Sequence, residues 1–157
     1  MKLLSALAMA ATILFATTAI TQAAGDSNME VLYQKLKADK KLLIAENMGL
    51  TDDEGKKFWP LYDDYQKELD KVNRDLGRTI REYAEAYNKG PVPNDQAKKL
   101  MGQVIAIDEA EVKLKRTYAE KIGRVLPTAK TARYIQIESK IRALVKAELA
   151  KEIPLVY

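Results

Sequence analysis

Apolar residues recur in steps of three and four at Phe58, Leu61, Tyr62, Tyr65, Leu69, Val72, Leu76, Ile80, Tyr83 and Tyr87. That spacing traces one stripe along an α-helix. The stripe opens at Thr51-Asp52-Asp53-Glu54, which has the form of a capping box, with two further acids where the helix dipole is positive. It closes at Asn88-Lys89-Gly90-Pro91, where glycine suits a left-handed cap and proline cannot continue the ladder. At about 1.5 Å per residue, a helix from Thr51 to Asn88 is roughly 55 Å long. Such a rod has to lie along something equally long. Pro60 sits beyond the first turn. It predicts either a bend with Phe58-Trp59 packed under a neighbouring segment, or a late N-terminal turn that tolerates proline.

The companion follows directly. Gly90-Pro91-Val92-Pro93 is a short stiff link, and Asn94 is placed to cap a helix from Asp95 to about Val125. The inward face of that helix reads Ala97, Leu100, Val104, Ile107, Leu114, Tyr118, Ile122 and Val125. Two long helices with so brief a connection predict an antiparallel αα-hairpin. Leu126-Pro127 interrupts the pattern. Thr128 is placed to cap a last helix to about Glu152, with Tyr134, Ile137, Ile141, Leu144, Val145 and Leu149 inward and Pro154 marking its end. Upstream, Ser27-Asn28-Met29-Glu30 forms a second capping box. It opens a helix to about Met48, apolar at Met29, Leu32, Leu36, Leu43 and Ile44, and ended by Gly49. The charged middle of this helix, from Lys37 to Lys41, predicts weak packing. No period-two run and no glycine-rich phosphate loop competes. The predicted fold is all-α: a long bent antiparallel helical hairpin with flanking N- and C-terminal helices, about four helices in one domain over residues 24–157.

Residues 1–23 read as a signal peptide. Lys2 is a short positive start, Leu3 to Ile20 is uncharged and rich in Ala and Leu, and Thr21-Gln22-Ala23 offers the small residues a signal peptidase reads. Cleavage is expected after Ala23 or one residue later. A retained anchor is the alternative, since the run is near the lower limit for spanning a bilayer, but cleavage is favoured. The expected compartment is the bacterial periplasm, since the chain has no cysteine and no glycosylation sequon.

Composition narrows the chemistry. There is no His and no Cys, so no imidazole base, thiol nucleophile or nitrogen–sulfur metal site can be built. Beyond residue 23 the serines are Ser27, assigned to a cap, and Ser139. The acidic clusters Asp52-Asp53-Glu54, Asp63-Asp64 and Asp108-Glu109-Glu111 lack the turn spacing of a calcium loop and read as surface charge. No catalytic residue, metal or cofactor is therefore expected, and the chain reads as a non-enzymatic binding protein. The 26 Lys+Arg outnumber the 22 Asp+Glu and the sequence pI is near 9.1, but acids interleave with the bases. That interleaving weakens a nucleic-acid or membrane-surface reading. Lys67, Lys71, Arg74, Arg78 and Arg81 step by four and three, roughly opposite the apolar stripe. Two readings remain open for them: a solvated, salt-bridge-laced surface, which is favoured, or a cationic track that contacts acidic or unfolded clients. The apolar end Ile153-Pro154-Leu155-Val156-Tyr157 is expected to pack back onto the bundle, or else to be read by a groove-type partner.

Leu50-Thr51-Asp52-Asp53-Glu54, followed by Lys57-Phe58-Trp59, resembles the Leu-Thr-x-x-Gln opening of the Spy/CpxP-like family of periplasmic proteins. Leu126-Pro127-Thr128-Ala129-Lys130, with Ala132-Arg133-Tyr134, resembles a second, degenerate copy. Glu54 and Lys130 stand where that family usually has glutamine; the first conserves capping and the second does not. The resemblance implies a small all-α protein that pairs into a cradle-shaped homodimer. It implies either ATP-independent chaperone activity toward unfolded envelope proteins or restraint of an envelope-stress sensor kinase. The matched positions Leu50, Thr51, Glu54, Phe58, Trp59, Leu126 and Tyr134 are expected to be structural. On the cationic-track reading of the helix face, client contact falls at Lys67, Lys71, Arg74, Arg78 and Arg81.

Overall fold

The computed structural model describes residues 38–156. The predicted signal peptide, the Ser27 capping box and the apolar positions Met29, Leu32 and Leu36 lie outside the described residues, as does Tyr157. Among the described residues there are four helices and no strand. They are α1 over residues 38–48, α2 Asp52–Tyr87, α3 Asn94–Gly123 and α4 Thr128–Glu152. The fold is all-α, as the periodicity predicts. The described residues divide into two compact units, residues 50–135 with 154–156 and residues 38–49 with 136–153.

In the first unit, α2 and α3 pack together as an antiparallel hairpin. The N-terminus of α2 carries the full capping box. The Glu54 amide donates to Thr51 Oγ1 at 3.3 Å and the Thr51 amide donates to Glu54 Oε2 at 2.8 Å. Two otherwise orphaned donors are thereby satisfied. The helix runs on through Pro60, and Phe58 is fully buried against Tyr134 of α4, ring centroids 5.1 Å apart and nearly perpendicular. Of the expected Phe58-Trp59 pair, Phe58 packs under a neighbouring segment and Trp59 is only half-buried.

The hairpin turn is made by Gly90, whose φ of +125° side chains other than hydrogen rarely adopt. Its amide donates to the Tyr87 carbonyl at 3.2 Å. Asn94 does not cap α3. Pro93 takes the cap position with φ −60° and ψ 144°, no side chain accepts there, and Asn94 is already helical. The proline ring sets an extended residue directly before the helix, which leaves Asn94 no room to cap. Thr128 likewise opens α4 from inside, while the Pro127 carbonyl accepts from the Lys130 and Thr131 amides.

The buried seam of α2 differs from the sequence expectation in its second half. Phe58, Tyr62, Tyr65 and Leu69 are buried as expected, but Thr79 and Ala86 are buried where Ile80 and Tyr87 were expected and are only half-buried. The steps from Phe58 through Tyr62, Tyr65, Leu69, Val72, Leu76, Thr79, Tyr83 to Ala86 alternate strictly between four and three. That is a 3.5-residue repeat, the seam of two helices that stay in register over their length. The buried Thr79 hydroxyl is satisfied by the Asp75 carbonyl at 3.1 Å. On α3 the seam holds Leu100, Ile107, Glu111, Tyr118 and Ile122. Glu111 is buried there, whereas Val104, expected inward, stays exposed. The core concentrates where the aromatic rings are: Tyr65 meets Tyr118 at 5.4 Å and Tyr134 at 6.0 Å, and Trp59 meets Tyr62 at 5.5 Å.

The second unit pairs α1 with the rest of α4. Ile44 and Met48 are fully buried in it, and Gly49 ends α1 with φ +54°. The charge in this helix is put to use: Lys40 donates to Glu138 at 2.9 Å, and Glu138 is almost entirely buried. Leu144, expected inward, is 41% exposed, whereas Glu138 of the same helix is buried. No helix among the described residues is long and apolar enough to cross a membrane.

Candidate functional site

The first turns of α2 and α4 meet. Lys130 Nζ donates to Glu54 Oε2 at 2.5 Å, the same oxygen that closes the capping box with the Thr51 amide. Both side chains are largely covered, at 28% and 19% exposure. The Glu54 carboxyl is held below its ordinary range, chiefly by the Lys130 hydrogen bond and next by the Thr51 amide. An acid of α2 and a base of α4 are therefore in contact. Around this pair, Leu126, Tyr134 and Phe58 are buried, while Leu50 and Trp59 are half-buried. These motif residues hold the start of α2 against the start of α4.

The five cations lie on the exposed face of α2. Lys67, Lys71, Arg74, Arg78 and Arg81 are all exposed. Lys71 pairs with Glu68 at 2.8 Å and Arg78 with Asp75 at 2.5 Å, each one turn back along the helix. The Glu68 carboxyl is lowered, first by its hydrogen bond from Lys71. Near the turn, Glu82 of α2 accepts from Lys99 at 2.9 Å and from Gln103 at 3.3 Å on α3, and its carboxyl is lowered by those two bonds in that order. The face is an ordered alternation of charge, with exposed cationic heads.

A second feature escaped the sequence reading. α3 exposes Met101, Val104, Ile105 and Val112, at 60%, 42%, 52% and 58%. At about 100° per residue, Met101, Ile105 and Val112 form a second apolar row roughly 120° around the helix from the seam row of Leu100, Ile107, Glu111 and Tyr118. Val104 lies between the two rows. A shallow open groove of about 470 Å³ runs along this face, lined by Ile105, Asp108, Glu109, Val112, Lys113 and Arg116. The signal was the offset of those apolar positions from the seam, visible once α3 is drawn as a wheel. At the aromatic end, Lys121 lies 4.4 Å from the Tyr118 ring centre. Burial pushes the Tyr118 phenol up, with Asp64 and Glu68 adding to the effect.

Among the described residues no group of three His, Cys, Asp or Glu side chains could hold a metal ion. No family model, curated protein or solved structure matches this chain.

Proposed function

We propose that this is an exported, ATP-independent binding protein of the periplasm that holds unfolded or stress-damaged envelope proteins on an apolar and cationic helical surface. The observation that carries this reading is the exposed apolar row of α3, on a hairpin whose other helix presents five exposed cations. Large apolar side chains left in water gain ~1.5–3 kcal/mol each when covered, so such a row is a site of association. The cations suit partly acidic chains in non-native states. The leader-like residues 1–23 and the resemblance to Spy/CpxP-like proteins support the compartment and the non-catalytic role. The test is light scattering of an aggregating client with the purified protein. Suppression is expected near equimolar amounts, and M101S/V104S, which touches no seam ring, is expected to weaken it several-fold. No suppression at several-fold molar excess sinks the proposal.

A second reading is a regulatory protein that binds one defined partner, such as the sensor domain of an envelope-stress kinase. The fixed pairs Glu68–Lys71 and Asp75–Arg78 favour it, because an ordered alternation of charge suits one complementary surface. Selective pull-down of a single envelope protein, unaffected by unfolded competitors, would point to this role over the first.

A further inference from the structure

Met101 is the most exposed large apolar side chain of α3, and it stands at the N-terminal end of the apolar row, one turn before Ile105. Its neighbour Gly102 carries no side chain, and nothing lies within 4 Å of where one would begin, so that flank of the thioether is open. Met1, Met9 and Met29 lie outside the described residues, and Met48, the only other described methionine, is fully buried. The chain has no cysteine, so no thiol competes for a mild oxidant, and the thioethers are the sulfur that such an oxidant meets. We propose that Met101 is a redox-controlled modification site: hydrogen peroxide converts it selectively to the sulfoxide, which withdraws the N-terminal end of the exposed α3 row from apolar binding.

The step is a two-electron oxygen transfer. A lone pair of the Met101 sulfur attacks one peroxide oxygen, and the O–O bond breaks. The hydroxide that leaves takes the proton of the transferred hydroxyl and becomes water, so the sulfur is oxidised and the peroxide reduced. The sulfoxide oxygen is a hydrogen-bond acceptor held by water, and Met101 ceases to be apolar surface. Val104 and Ile105 then adjoin a hydrated group, whereas Val112, two turns beyond Ile105, is untouched. Met101 lies outside the seam of Leu100, Ile107, Glu111 and Tyr118, so oxidation alters the surface and leaves the hairpin packed. A sulfoxide reductase that draws on two thiols returns the thioether, with a disulfide and water as products, so the change is reversible. The site itself stands on the exposure of Met101; its effect on clients rests on the client-holding reading.

The test treats the purified chain with dilute hydrogen peroxide and maps its peptides by mass spectrometry. Met101 is expected to gain one oxygen about tenfold or more faster than Met48 in the native protein, and the two rates are expected to converge in urea. Equal rates in the native protein overturn the proposal. Hydrophobic interaction chromatography reads the surface without any client, with circular dichroism checking that the fold is unchanged. The oxidised parent is expected to elute earlier than the untreated one, and reductase with thiol is expected to restore its retention. M101L keeps an apolar side chain that peroxide does not convert, and treatment is expected to leave its retention unchanged. No shift in the parent, or the same shift in M101L, overturns the proposal. In light scattering, treatment is expected to weaken suppression by the parent several-fold and to spare M101L; equal losses in both overturn the proposal. Failure of the untreated parent to suppress aggregation sinks the client-holding reading alone, and peptide mapping and retention still decide this one.

Discussion

Lys130 and Glu54, 76 positions apart in the chain, share one contact at 2.5 Å that joins the first turn of α4 to the first turn of α2. The same carboxylate oxygen accepts the Thr51 amide, so the pair and the cap are a single unit. Replacing Lys130 by Ala leaves a covered carboxylate without its partner and is expected to lower the unfolding midpoint. E54Q/K130Q is expected to cost less than the sum of its single variants, because glutamine still caps and the two amides can bond. E54K/K130E restores opposite charges but destroys the cap, and is expected to recover only part of the loss. A double-mutant cycle read by thermal unfolding checks all three; strict additivity would show that the two sites are uncoupled.

Acid should loosen the fold in a defined window. Glu54, Glu68 and Glu82 all have carboxyls held below the ordinary value of 4.5 by bonds from Lys130, Lys71 and Lys99. A lowered folded-state pKa stabilises above the unfolded-state value, and that contribution is lost as pH falls through the folded-state value. The unfolding midpoint is expected to be insensitive to these groups from neutral pH to about 5 and to fall below about 4.5. The drop should shrink in E54Q and at high salt, since surface pairs are screened. Midpoints measured by circular dichroism between pH 7 and 3 check this.

Removing the Phe58 ring opens a cavity under Tyr134, which cannot close around it. F58A is expected to cost about 3–5 kcal/mol in urea unfolding, the range for a buried aromatic truncated to alanine. A loss below about 1 kcal/mol would mean that the aromatic cluster is not the centre of stability.

Gly90 tests the turn. Nothing lies within 4 Å of where a Cβ would sit, so the cost of G90A is conformational alone. At φ +125° that cost is expected to be about 1–3 kcal/mol. Gly49, at φ +54°, is expected to cost less, since the left-handed helical region is open to other residues at about 1–2 kcal/mol.

Charge reversal on α2 tests the cationic face. K71E/R74E/R78E is expected to leave the fold intact, since all three side chains are exposed, and to weaken client or partner binding several-fold. Unchanged binding would make this face a solvated surface only.

Helix positions were legible because capping and breaking residues act locally. The box at Thr51 and Glu54, the glycines at 49 and 90, and the hairpin itself follow from neighbours in sequence. The seam was not legible, because it depends on drift between two rods. A straight helix falls behind a 3.5-residue repeat by about 20° per heptad, some 80° over the four heptads from Phe58 to Ala86. Hydrophobicity ranked Ile80 and Tyr87 above Thr79 and Ala86, but register with α3 chose the smaller pair. Glu111 is inside because it falls on the matching repeat of α3, whereas Val104 falls on that repeat too and is still 42% exposed. Lys130 read as a mismatch because its partner lies on another helix, and no local rule pairs them.

The interlocked rings crowd one end of the hairpin, while the turn end is closed by Thr79, Ala86, Val92 and Leu100. Cohesion is therefore graded along the two rods. Amides flanking Gly90 should exchange with solvent long before those around Tyr65 and Tyr118. The expected motion is a breathing of the tip, which parts and recloses while the aromatic clasp stays shut.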